Sequence, residues 1–125
     1  MQPEIFEKIK TNGLRKTLSK NIAGIQVIFE EPSNRAHTEA TSKFFQFSQD
    51  PTGKLKLDLK NSDLYSFNRA MVIATAKTED GKKIFESIED FETLFGDSGV
   101  CNSKILAEFI AGASAVAGGI DTEKN

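Results

Sequence analysis

Between Lys54 and Lys60 the chain alternates without a fault, with Leu55, Leu57 and Leu59 set between Lys54, Lys56, Asp58 and Lys60. Side chains of an extended strand point to opposite faces in turn, so this period of two puts the leucines on one face and the charges on the other. The preceding apolar run, FFQFS at 44–48, is separated from it by Gln49, Asp50, Pro51, Thr52 and Gly53. Proline fixes φ and glycine tolerates positive φ, so the segment is turn chemistry and the pair reads as a β-hairpin. Phe45 and Phe47 are then expected to meet the leucines across it. A lone hairpin is marginal in water, so its apolar face requires a cover, from the rest of the domain or from a partner.

After Leu59 the period changes. Asn61 or Ser62 can cap a helix beginning at Asp63, with Leu64, Phe67, Met71 and Ala74 at helical spacing and Ala70 between them. Val72 and Ile73 lie on other faces, which predicts wide burial. A strand over 71–76, turned through Asp80 and Gly81 to Ile84 and Phe85, competes with the end of this helix. Ser87 can cap the next helix, with Asp90 at its third position and Ile88, Phe91, Leu94 and Phe95 as the apolar positions. Glu89, Asp90 and Glu92 suit its positive N-terminal end, and Gly96 and Gly99 end it. A last helix starts near Asn102 or Ser103, carries Ile105, Leu106, Phe109, Ile110 and Ala113 on one stripe, and stops at Gly118 and Gly119. The tail DTEKN reads as frayed.

The N-terminal third is less patterned. Ile5, Phe6 and Ile9 share one face of a short helix over 3–10. The following residues, up to Asn21, are polar and mixed and read as an arm or loop. In residues 22–30 (IAGIQVIFE), Ile25, Val27 and Phe29 alternate as in a strand, which Pro32, Ser33 and Asn34 interrupt. Residues 35–42 are open between a Ser33-capped helix and an extended path. The expected fold is α+β: a small antiparallel β-sheet in the N-terminal half (22–60) followed by about three packed helices (62–118). A length of 125 residues fits a single domain, with 1–20 a mobile basic arm and 119–125 a frayed tail.

Composition narrows the function classes. Apolar residues at 38% and charged residues at 27% match a folded chain, which argues against global disorder. The net charge of −2 hides an asymmetry: five cations face two carboxylates in residues 1–20, and seven acids face two lysines in residues 78–97. The basic arm is too weakly charged to imply nucleic-acid binding, and none is expected. The acidic stretch reads as a solvated helix face or a partner-docking one. No apolar run has the length of a membrane span or a signal peptide, and the chain reads as cytoplasmic.

Candidate chemistry is sparse. His37 is the sole histidine and Cys101 the sole cysteine, so no internal disulfide and no ordinary zinc site can form. His37 reads as a loop or surface residue, and Cys101 as a small residue at a helix entrance. No phosphate-cradling or dinucleotide-binding glycine motif occurs, so no cofactor is expected. GDSG at 96–99 matches a serine-protease string without the histidine context that would give it meaning. The expectation is a non-enzymatic binding protein. One run stands out, AGASAVAGG at 111–119, whose small side chains let another helix or a second copy approach closely, or else let this end pack tightly in its own domain.

The order of features from Leu64 onward, LYSFNRAMVIATAKTEDGKKIFESIEDFETLFG and then an alanine-rich helix giving way to glycine and an acidic tail, resembles the tail assembly chaperones of long-tailed bacteriophages. The resemblance covers roughly residues 62–120, about half the chain. It implies a protein of the host cell cytoplasm that binds the tape measure protein, helps recruit tail tube protein and is absent from the finished particle. Covering apolar stripes on tape measure helices is a helix-in-groove task, for which Ile105, Phe109, Gly112 and Ala113 are the expected contacts, with Phe91 and Phe95 beside them. A structural virion protein of the tail or head-tail joint is the alternative. A small nucleic-acid-binding regulator is a third reading.

Overall fold

The protein is described by a computed structural model covering residues 2–117. It is α+β, with helix α1 (Pro3–Asn12), strands β1 (Thr17–Ile22) and β2 (Ile25–Glu30), helix α2 (Asn34–Phe44), strands β3 (Phe47–Gln49) and β4 (Leu55–Leu57), helix α3 (Leu64–Thr75), strand β5 (Ala76–Lys77), and helices α4 (Ile88–Phe95) and α5 (Ser103–Ala117). The expected Gly118-Gly119 stop and the DTEKN tail lie outside the described residues.

Two sheets form instead of one. The main sheet is antiparallel in the order β1-β2-β5, and β3-β4 stands apart as a two-stranded hairpin. The stretch expected to be an arm up to Asn21 supplies β1, whose register pairs Leu18 with Phe29 and Ile22 with Ile25. The chain turns between the two strands on Ala23 and Gly24, both at positive φ (53° and 82°), as a two-residue hairpin connection of the tightest kind requires. What reads as one strand from residue 22 is therefore the end of one strand and the start of another. Lys20, on the core side of β1 opposite Val27, reaches α5 and donates through Nζ to the Glu108 carbonyl at 3.5 Å.

The helices start where their caps put them. Ser33, Asp63 and Ser87 side chains accept from the backbone N–H of Ala36, Ser66 and Asp90. Ser33 thus settles residues 35–42 as helix. Asp63, expected as the first helical residue, is the cap itself. Ser62 instead donates to the Asp58 carbonyl and accepts from Gln46 N–H, tying the hairpin to the start of α3. Asn102 accepts from Ile105 N–H at 3.0 Å and orders the first turn of α5. Both readings of residues 71–85 hold in part: α3 runs to Thr75, then Ala76 and Lys77 pair with β2 and the chain returns through Gly81 to a bridge at Lys83.

The core lies between the sheet and helices α3 and α5. Ile22, Val27, Phe29, Val72 and Ala76 are fully buried there. Four phenylalanines extend it toward α4: Phe85 stands 5.4 Å from Phe109 and 5.7 Å from Phe91 between ring centroids, and Phe95 packs 5.9 Å from Phe109. Edge-to-face geometry of this kind adds about 0.5–1.5 kcal/mol per pair beyond burial. Phe45 is not part of the hairpin. It ends α2 and packs on Phe67, 4.3 Å away.

Candidate interaction surface

The fold divides the six residues expected to contact a partner. Phe91, Phe109 and Ala113 are 1%, 5% and 2% exposed, so they form the chain's own core in this conformation. Gly112 is also buried, and a β-carbon there would collide with the Phe29 ring. Phe95 and Ile105 are partly buried against the same cluster. Gly112 thus admits Phe29 of β2 within the same domain, while Ala111, Ser114 and Ala115 on the same helix are exposed.

Apolar surface is left open elsewhere. On β3-β4, Phe47 is opposite Leu57 and Gln49 opposite Leu55, so Phe47, Leu55 and Leu57 share a face. Leu57 leans on the core, but Phe47 is 50% and Leu55 66% exposed. Leu59 and Leu64, next along the chain, are also exposed. The other hairpin face carries Ser48 and Lys56. Asp50 fixes the turn by accepting from the backbone of Thr52 and Lys54, both at 2.9 Å. The Thr52 hydroxyl also donates to Asp50 Oδ1 at 2.6 Å, and this bond first, then the backbone ones, hold the Asp50 carboxyl below its ordinary range. The hairpin is held at its turn by these bonds, and the described residues leave part of its apolar face open.

A second feature links α3 and α4. Tyr65 donates its hydroxyl to Glu92 Oε2 at 2.5 Å, and Arg69 pairs with Glu92 Oε1 at 2.7 Å while stacking over the Tyr65 ring at 5.6 Å. Burial first, and then the bond to Glu92, pushes the Tyr65 phenol up to about 12. Beside it lies an open recess of about 470 Å³ lined by Tyr65, Glu92, Gly96, Asp97 and Ser98. The GDSG string is the exit from α4: Gly96 caps the helix and Gly99 N–H donates to the Gly96 carbonyl at 2.8 Å. Ser98 is exposed in that turn.

His37 is corrected from a loop position to α2, where its ring stands edge-on to Phe67 at 6.2 Å. Its Nε2 is buried and meets no hydrogen-bond partner among the described residues. Cys101 stands before Asn102 at the entrance to α5 and donates its N–H to the Leu94 carbonyl at 2.9 Å. Among the described residues no three His, Cys, Asp or Glu side chains gather as a metal site would need. No described helix is long and apolar enough to cross a membrane.

No protein-family model matches the chain, and no curated protein matches it. Among solved structures it is similar to the bacteriophage HK97 tail assembly chaperone, with a TM-score of 0.48 and 13% identity, over 90% of this chain and 97% of that one.

Proposed function

We propose that this chain acts by binding another polypeptide, as a phage tail assembly chaperone, and that the open hairpin face is a surface it binds with. The observation that carries the reading is the exposure of Phe47 and Leu55 on a rigid, side-chain-fixed hairpin. The order of features from Leu64 onward supports the same reading. The partner is the tape measure protein, whose helices present apolar stripes until the tail tube encloses them. Each stripe laid on the hairpin face removes two incompatible apolar surfaces from water at once.

Magnitudes favour many weak contacts. Phe47 and Leu55 are each half exposed or more, so covering either contributes on the order of 1 kcal/mol. Association itself costs at least about 4 kcal/mol. A single hairpin therefore holds a stripe weakly, and several copies along one long partner hold it through summed contacts. Such reversible binding suits a factor that leaves when tail tube protein arrives, and recruitment of that protein falls to the remaining surface.

The test is co-expression with a phage tape measure protein. Wild type should raise its soluble yield, and the Phe47→Asp/Leu55→Asp variant, checked for folding by circular dichroism, should not. Equal yields with wild type and a folded variant reject this surface. No gain with wild type rejects the function. Mass spectrometry of purified particles separates the structural alternative, since only a virion component should be present there.

A further inference from the structure

Strand β1 leaves one edge of the main sheet open. It is the outer strand in the order β1-β2-β5 and has a neighbour on one side alone. The Glu31 N–H donates to the Lys16 carbonyl at 2.8 Å, which makes Lys16 and Glu31 a hydrogen-bonded pair of the ladder. Such pairs recur at every second residue of an antiparallel register, so Leu18, Lys20 and Ile22 turn their backbone toward β2. Thr17, Ser19 and Asn21 therefore turn theirs away from it. All three are exposed, and their N–H and carbonyl groups meet no partner among the described residues.

Native sheets blunt such an edge with proline, a bulge or an outward lysine. Here the register runs one to one from Thr17 opposite Glu30 to Ile22 opposite Ile25, without a bulge, and the strand TLSKNI has no proline. Its lysine is turned to the core side, where Lys20 Nζ reaches the Glu108 carbonyl. Helix α5 runs beneath the strand. Gly112 faces Phe29 of β2, and Glu108 lies by Lys20 of β1. At 100° per residue the next positions round the helix in that direction are Ala115 and Ala111, both exposed. A strand added outside β1 thus lies over a shelf of small side chains, beside Leu18, which is 37% exposed.

We propose that this edge takes up an extended segment of another protein as an antiparallel strand, with apolar side chains on the α5 shelf, polar ones on the outer face and carboxylates at its ends. Backbone geometry sets the occupant's conformation, since a strand offers donors and acceptors at the spacing of Thr17, Ser19 and Asn21. The shelf sets its alternation. Charge sets its sign: Arg15 and Lys16 stand exposed at the start of β1, and residues 1–20 carry five cations against two carboxylates. The same excess opposes a second β1 as the occupant, because it sets these cations against their own kind. The edge is separate from the β3-β4 face, and the inference does not rest on the tape measure reading.

Hydrogen exchange of the full chain, followed by NMR, tests it with a capped eight-residue peptide in which valine and threonine alternate between terminal glutamates. In antiparallel pairing the residues whose N–H faces β1 carry their side chains on the outer face, and these are the threonines. A probe N-methylated on its valines should bind, and one N-methylated on its threonines, with the same side chains, should not. In the free protein Thr17, Ser19 and Asn21 should exchange fast beside slow Leu18, Lys20 and Ile22. Saturating valine-methylated probe should slow the first three by roughly tenfold or more. Ser19→Pro breaks no bond to β2, because that N–H points outward, and Ala111→Glu/Ala115→Glu fills the shelf with charge of the probe's own sign. Each should weaken binding by roughly tenfold or more with circular dichroism unchanged. Exchange that neither probe alters overturns the proposal, as do equal effects of the two probes or binding that ignores both variants. A free protein in which Thr17, Ser19 and Asn21 are already slow overturns it as well, since the edge is then occupied without a different partner.

Discussion

Gly112 on α5 lies so close over the Phe29 ring of β2 that no β-carbon fits between them. Glycine inside a helix ordinarily costs about 1 kcal/mol relative to alanine. Here the gain from alanine is outweighed, because the obstacle is a fully buried ring in the centre of the core. Gly112→Ala should destabilise the fold by about 1–3 kcal/mol, the usual range for overpacking. Urea denaturation gives the comparison, and a stabilised variant would show that α5 has room to rise off the sheet.

Phe109 touches Phe29, Phe85 and Phe95, so it joins sheet, loop and α4 through one ring. Phe109→Ala should cost about 3–5 kcal/mol. That is a large share of the ~5–15 kcal/mol available to a domain of this size. Ile105→Ala, at a partly buried position, should cost clearly less. Thermal melts of the two variants check the ranking, and equal losses would mean the core extends further toward the start of α5.

How much of this was legible in the sequence depended on whether the deciding contact was local. The cap at Ser87 and the stripe on α5 are set by residues a few positions apart and were readable, while the Ser33 cap left residues 35–42 open between a helix and an extended path. Strand β1 was not, because Lys20 takes a core-side position there and only contact with the distant Glu108 carbonyl makes that acceptable. The Ala23-Gly24 turn was hidden for a different reason: alanine carries no turn signal, and its positive φ is imposed by the two strands. Phe91, Phe109, Gly112 and Ala113 read in the sequence as partner contacts, and the structure packs them inside the chain's own core. Whether such residues face a partner or their own sheet is a long-range fact, which the Phe29 contact decides for Gly112.

The turn offers a direct test of that strain. Ala23 is exposed and holds a φ of 53°, a conformation costing roughly 1–2 kcal/mol for an ordinary L-residue. Asparagine tolerates it better and is favoured before glycine in two-residue hairpins. Ala23→Asn should raise stability by up to about 1 kcal/mol with no change in contacts. An unchanged or lowered denaturation midpoint would place the turn in another conformation.

Glu30 accepts from Lys77 Nζ at 2.9 Å, and Arg15 stands 3.9 Å away. The Lys77 bond first, then the two positive charges, hold its carboxyl below the ordinary 4.5 despite partial burial. A carboxylate lowered on folding stabilises the native state above its unfolded value, and that contribution is lost as pH falls through the lowered native one. Because the Glu30 side chain is 35% exposed, Glu30→Gln should cost no more than about 1 kcal/mol at neutral pH. The gap between variant and wild type should close once pH drops well below 4.5. A gap that persists in acid would trace to packing instead of charge.

Tyr65 is the sole tyrosine and the chain has no tryptophan, so phenolate absorbance reports this one hydroxyl. Burial and the bond to Glu92 raise it from 10.0 to about 12. A group raised on folding stabilises fully below its unfolded value and loses that contribution as pH rises through its folded one. Alkaline titration of the folded protein should therefore show a midpoint near 12, and stability should decline between pH 10 and that point. Glu92→Gln removes the charged acceptor and leaves the burial, so the midpoint should fall partway and remain above 10.0. The same variant frees Arg69, whose pairing with Glu92 joins α3 to α4, and local hydrogen exchange in α4 should quicken with it. A wild-type midpoint at the ordinary tyrosine value would mean that the Tyr65–Glu92–Arg69 latch is open in solution.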